Sequence, residues 1–154
     1  MLNVGQPFPN FSLPNQDKQM TRLQDFAGKW LVVFVYPKDD TPGCTIEGRG
    51  FSAAYEDFKR VNACVVGVSA DDPDSHKSFC NKFSFKMPLL ADTKEELLNM
   101  AQVGQSEFKG TLYWNRVTYL IDPNGIVRKI YRDVVPQGHE KAVLNDLQIF
   151  RNNF

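Results

Sequence analysis

The chain has 154 residues, 42% hydrophobic and 23% charged, with 18 basic residues against 18 acidic ones. That composition excludes a disordered tail, a collagen-like repeat and a low-complexity linker. Zero net charge argues against a nucleic-acid partner and gives no reason to expect an anionic membrane surface. The length suits one compact domain over residues 1–154 with a core that needs no staples. Met1 to Pro7 has neither a basic n-region nor an apolar h-region, which predicts no secretory signal.

From Pro7 to Pro14, Phe and Pro alternate with polar residues and read as extended edge structure. Gln16-Asp17-Lys18 reads as a turn, Met20 to Leu23 as a short strand, and Gln24 to Phe26 as a helical turn closed by Gly28. Trp30 to Tyr36 is a continuous β-branched and aromatic run, the pattern of a central strand buried on both faces. It is the longest apolar run and falls far short of the roughly 20 residues that span a bilayer. The expectation is a soluble, cytoplasmic protein with no membrane partner.

Pro37 ends that strand. Thr41 then reads as an N-cap with Pro42 at the first helical position. Phe51, Ala54, Tyr55 and Phe58 carry a helical period through to Arg60, and Cys64 to Ser69 reads as a second buried strand. Asp74 or Ser75 is the expected cap of a helix running through Phe79 to Lys82, and Glu95 to Met100 of another short helix. Val117 to Ile121, the turn Asp122-Pro123-Asn124-Gly125 and Ile126 to Tyr131 form a predicted hairpin. An amphipathic helix over His139 to Phe150 closes the chain. Strands that alternate with helices and then end in a hairpin and a helix predict an α/β three-layer sandwich around a mixed β-sheet.

The chemistry is concentrated at Tyr36-Pro37-Lys38-Asp39-Asp40-Thr41-Pro42-Gly43-Cys44-Thr45-Ile46-Glu47. Counted from Thr41, Cys44 is the third helical residue. A thiol there faces unpaired backbone N–H groups and the positive end of the helix dipole, a setting that favours a thiolate. Gly43 leaves room for a small substrate, and the carboxyl end of a central strand is where open α/β sheets place ligands. The bland alternative is an inert buried cysteine.

Pro37, Thr41 and Cys44 reproduce the Pro-x-x-x-Thr-x-x-Cys motif of peroxiredoxins. The string Tyr-Pro-Lys-Asp-Asp-Thr-Pro-Gly-Cys-Thr resembles the bacterioferritin comigratory protein, or peroxiredoxin Q, subfamily. Gly5-Gln6-Pro7 through Pro14, Asp25 to Lys29 and Arg116 to Asp122 resemble that family's other segments, so the resemblance covers nearly the whole chain. It implies a thioredoxin-like fold and a peroxidase that reduces hydrogen peroxide and organic hydroperoxides. Cys44 matches the peroxidatic cysteine, Thr41 the peroxide-orienting hydroxyl, Pro37 the residue that shields the pocket, and Arg116 the cation that stabilises thiolate and developing charge. Gly43, Thr41 and Arg116 are the implied substrate-binding residues; the bland alternative for Arg116 is a surface ion pair with Glu47, a role that can coexist with the catalytic one.

The subfamily's usual resolving position, five residues after Cys44, is Arg49 here. Cys80 matches the alternative resolving position of another branch, which implies a Cys44–Cys80 disulfide recycled by a thioredoxin- or glutaredoxin-type reductant. Gly48 and Gly50, each costing about 1 kcal/mol in a helix interior, suggest a first segment that unwinds readily. Cys64 is the expected core residue. His76 and His139 are expected to be capping or surface groups, and Asp39-Asp40 and Asp71-Asp72 solvated loop charges. Asp71-Asp72 are alternatively expected to shape the loop before the Cys80 helix. No metal and no cofactor are expected, since the cysteines lack zinc-ligand spacing. The subfamily resemblance favours a monomer. The rival readings are a one-cysteine peroxidase with an external thiol, a noncatalytic thioredoxin-fold redox sensor or binding protein, and a dithiol–disulfide oxidoreductase.

Overall fold

The computed structural model describes residues 2–154. Its centre is a five-stranded sheet ordered β5-β4-β3-β8-β9. These strands are β3 (Trp30–Val35), β4 (Ala63–Ser69), β5 (Leu89–Ala91), β8 (Val117–Ile121) and β9 (Val127–Tyr131). β4 lies parallel to both β3 and β5, whereas β8 is antiparallel to β3 and β9 to β8. The sheet is therefore mixed, as expected. Every residue of β3 is buried, which accounts for its unbroken apolar run.

Alternate residues of β3 feed two cores. Trp30, Val32 and Phe34, with Tyr36 just past the strand, pack with Phe51, Phe58, Phe79, Val143 and Leu147. These belong to helices α1 (Pro42–Ala53), α2 (Tyr55–Arg60), α3 (Pro73–Phe83) and α5 (His139–Asn152). Leu31, Val33 and Val35 pack on the other face with Phe8, Phe11 and Trp114, and with Leu97 and Leu98 of α4 (Glu96–Met100). The result is the expected three layers. Among the described residues no helix is long and apolar enough to cross a membrane.

Four local readings change. The segment before Pro14 holds one strand, β1 (Ser12–Pro14), which pairs with β2 (Met20–Arg22) outside the main sheet, and Pro7 bridges to Ile126 alone. The helix expected to reach Arg60 breaks at Ala54 (φ −90°, ψ 1°), between α1 and α2. Phe51 and Phe58, on either side of that break, bring their rings to 6.0 Å. The cap of α3 is Asp72, whose carboxylate accepts from the Ser75 amide at 2.8 Å, not Asp74 or Ser75. β5 and a hairpin of β6 (Gln105–Phe108) and β7 (Thr111–Trp114) are additional elements.

Candidate active site

β3 delivers the chain through Tyr36 and Pro37 to the start of α1. Thr41 takes the N-cap position with extended backbone, yet its side chain does not cap the helix. Its hydroxyl donates instead to the Lys38 carbonyl at 3.0 Å. The hydroxyl that would have satisfied a first-turn N–H is thereby turned away from it, where an incoming anion or peroxide oxygen is favoured. Cys44 is the third residue of α1 and only 1% exposed.

Arg116, just before β8, reaches across to that turn. Its Nη1 donates to Cys44 Sγ at 3.4 Å and to Glu47 Oε1 at 2.8 Å, so the pair with Glu47 is present together with the contact to sulfur, but it is buried rather than a surface ion pair. Gly43 makes the approach geometrically feasible, because a Cβ there would lie 2.8 Å from Arg116 Nη2. The space expected for substrate beside Gly43 is thus partly taken by the guanidinium. Burial opposes the charge of Arg116, but the neighbouring Cys44 and Glu47 outweigh it and raise its pKa. A polar cleft of about 580 Å³ opens beside it, lined by Ser106, Asn115, Arg116, Arg132 and Asp133 among others.

Glu47 lies on the same helical face as Cys44, three residues on. Its side chain is 0% exposed, and burial pushes its pKa up to about 7 against the lowering pull of Arg116. Among the described residues Oε2 has no hydrogen-bond partner, and it sits 4.0 Å from His139 Nε2. His139 is buried, 2.8 Å from Thr118 Oγ1, and burial holds its pKa down at about 4, with Arg116 adding to that effect.

A second buried network flanks the loop before Thr41. The Asp39 carboxylate accepts from Tyr36 OH at 2.6 Å and Ser75 OH at 2.8 Å, and lies 2.7 Å from His76 Nδ1. His76 Nε2 is 2.9 Å from the Leu90 carbonyl, which only accepts, so Nε2 is the donor. The Asp39 amide and the Ser69 hydroxyl both donate to Asp71 Oδ2, at 2.8 and 2.6 Å. Asp39 and His76 are therefore buried partners, not solvated or surface groups, and His139 is likewise interior. A polar group this deep requires hydrogen-bond partners, and each of the three finds at least one on a distant segment. Asp39, Asp71 and His76 lie within 4.8 Å of one another, close enough to ligate a cation, but protein hydroxyls and an amide already occupy their oxygens.

Cys80 is buried in α3, one turn after His76, and packs in the same apolar cluster as Cys44. All three cysteines are free thiols. Burial, followed by the nearby charge of Asp39, pushes the Cys80 pKa up to about 12. Cys64 is half-buried rather than fully in the core, beside a cleft of about 210 Å³ with Lys29, Tyr55 and Lys59. Gly48 and Gly50 have packing partners that no sequence pattern reveals. A Cβ at Gly48 would lie 2.6 Å from the Phe85 ring, and one at Gly50 would lie 2.5 Å from the Glu140 carboxylate. Of the groups that sequence reasoning underrated, Glu47 alone carried a local signal, its i+3 spacing from Cys44.

The AhpC/TSA family model matches residues 4–130. The chloroplastic peroxiredoxin Q of Populus jackii is 41% identical over 148 residues, covering 96% of this chain and 68% of its own. Peroxiredoxin Bcp of Xanthomonas campestris pv. campestris is 40% identical over 147 residues, 92% of each chain. Among solved structures, a PrxQ mutant of Xylella fastidiosa superposes with a TM-score of 0.93 at 33% identity, over 98% of both chains. The bacterioferritin comigratory protein of Xanthomonas campestris, solved as trapped intermediate/ligand complexes in a study of its alkyl peroxide reduction, gives 0.88 at 36% identity, over 97% of this chain and 98% of that one. With the fold, a buried cysteine at a helix start and an arginine on its sulfur already in place, the chain belongs to the AhpC/TSA family as a peroxiredoxin of the Bcp/PrxQ type, a thiol-dependent peroxidase.

Proposed function

We propose that Cys44 is the peroxidatic cysteine and Cys80 its resolving partner, in a single-domain, monomeric, cytoplasmic enzyme recycled by a thioredoxin-type dithiol. The observation that carries the reading is the Arg116 guanidinium 3.4 Å from Cys44 Sγ, at the first turn of α1. The Cys44 thiolate attacks the terminal peroxide oxygen. An S–O bond forms, the O–O bond breaks, and the leaving oxygen departs as water or alcohol, giving Cys44 sulfenic acid. Arg116 and the first-turn N–H groups stabilise charge as it moves onto the leaving oxygen. Thr41 orients the peroxide, Gly43 keeps the backbone open to the guanidinium and substrate, and Pro37 shields the site from water.

Cys80 then attacks the sulfenic sulfur, expelling water and forming the Cys44–Cys80 disulfide. A dithiol reductant restores both thiols. Both sulfurs start inside helices, α1 and α3, so local unwinding precedes disulfide formation. The test is peptide mapping after one equivalent of hydrogen peroxide. A Cys44–Cys80 linked peptide is expected, and Cys80→Ser should keep the first oxidation and lose thioredoxin-supported turnover. Persistent sulfenic acid without that peptide would assign the enzyme to one-cysteine chemistry.

A further inference from the structure

We propose that Glu47 is the proton reservoir of the peroxidatic site, holding a proton while Cys44 is a thiolate and releasing it when Cys44 becomes a neutral sulfenic acid. The inference rests on Cys44 being the peroxidatic residue. Its geometric basis is one nitrogen, Arg116 Nη1, that faces Cys44 Sγ at 3.4 Å and Glu47 Oε1 at 2.8 Å. A single guanidinium charge balances two anions poorly in a site this dry, so Glu47 keeps its proton well above the usual carboxylate range. The groups that face Glu47 are Cys44 from its own helix, Arg116 from the segment before β8, and His139 and Glu140 from α5. Arg116 is the one cation of that set, because His139 is held neutral down to about 4 and Glu140 adds a negative field.

The orphaned oxygen says where the proton sits. Oε1 accepts from Arg116, while Oε2 has no partner and is 4.0 Å from an imidazole nitrogen already engaged with Thr118. An ionised carboxylate would leave that oxygen's charge buried and unpaired, which is costly, whereas a protonated one keeps the Arg116 bond and removes the charge. The raised Glu47 value agrees with this placement.

The step balances. Cys44 thiolate, a hydroperoxide and protonated Glu47 become Cys44 sulfenic acid, an alcohol or water, and ionised Glu47. The S–O bond forms and the O–O bond breaks. The leaving oxygen gains the proton that the site gives up through Glu47, and the net charge is unchanged. Once Cys44 no longer competes for Arg116, the guanidinium pairs fully with Glu47. Disulfide formation from sulfenic acid and the Cys80 thiol releases water and no proton. When the dithiol restores Cys44, the new thiol's proton returns to Glu47.

The test is proton balance in a single turnover of the full-length protein with one equivalent of hydrogen peroxide, in weak buffer with an indicator dye. At about pH 6, a unit below the Glu47 value, the wild-type protein should take up no proton and Glu47→Gln one proton for each Cys44 oxidised. At about pH 8 the wild-type protein should also take up one proton, because Glu47 is already ionised. That pH switch needs no variant and stands even where Glu47→Gln does not fold. Equal uptake by the two proteins at the lower pH, or a wild-type uptake that does not change with pH, overturns the reservoir. A Cys44 left unoxidised by mass overturns the peroxidatic assignment along with it.

Discussion

Asp39 and Glu47 are two buried carboxylates within a dozen residues of each other, each facing a buried histidine, and they are treated in opposite ways. Asp39 accepts from two hydroxyls and meets His76 at 2.7 Å, so its oxygens are satisfied. Glu47 accepts from one guanidinium, keeps an empty oxygen, and stands 4.0 Å from His139. The saturated network fastens the Thr41 approach to α3 and β5. The unsaturated one sits against the reacting sulfur and can change its charge. Saturation fixes shape, and a missing hydrogen bond leaves a group free to titrate.

Removing His76 is the harshest way to break that contrast. His76→Ala leaves Asp39 short of a partner in the interior, and denaturant unfolding should show a loss of about 3–5 kcal/mol. The rate of Cys44 oxidation in the fraction that folds should change little. Arg116→Ala should do the reverse. Stopped-flow oxidation by hydrogen peroxide should slow by about 10²–10³-fold, the scale for removing one donor to a developing oxyanion. Its stability loss should be smaller, because Glu47 already holds a proton and is not left as an unpaired buried charge.

Gly48→Ala separates packing from propensity. The helix gains about 1 kcal/mol from alanine, but a Cβ 2.6 Å from the Phe85 ring, which meets Phe79 edge to face, overpacks that aromatic cluster at a cost of about 1–3 kcal/mol. Thermal unfolding should report a small net loss, whereas a net gain would mean that Phe85 swings aside freely.

The finest test is the pH dependence of stability. Glu47, raised from 4.5 to about 7, binds more protons folded than unfolded, so it contributes stability that is complete below 4.5 and lost as pH rises through about 7. His139, lowered from 6.5 to about 4, contributes the opposite slope, with stability present above 6.5 and lost as pH falls through about 4. The two offset each other where the windows overlap. Chemical denaturation of Glu47→Gln should therefore show stability rising with pH more steeply than in the wild-type protein, and His139→Gln should show it falling.

What was legible in the sequence was local. β3 and β8 announce themselves as buried apolar runs, and the Thr41–Cys44 segment carries its cap, proline and cysteine within four residues. β5 is three residues long, too short for a period, and β6 exposes all four of its residues, so neither shows a hydrophobic pattern. The Asp39–His76 pair spans 37 positions, and the Glu47–Arg116 contact spans 69. Polar pairing at that range leaves no periodicity in the chain, which is why buried histidines read as surface ones and buried aspartates as loop charges. The break at Ala54 was hidden for the opposite reason, since both flanking segments keep the helical period.

The β6–β7 hairpin carries a practical consequence. Its base is tied by the Asn115 amide to Gly104 O at 2.9 Å and by Ser106 Oγ to Asn115 Oδ1 at 2.6 Å, immediately before Arg116. Its tip, Lys109 and Gly110, is exposed and turns through positive φ. Extra residues, a fluorophore or a surface tether can therefore be grafted at the tip without dragging the guanidinium, because the base absorbs the disturbance. Ser106, at the base, lines the same cleft as Arg116, so a dye carried at Ser106 itself would report on that cleft. That makes the hairpin a natural handle for building a peroxide sensor from this scaffold.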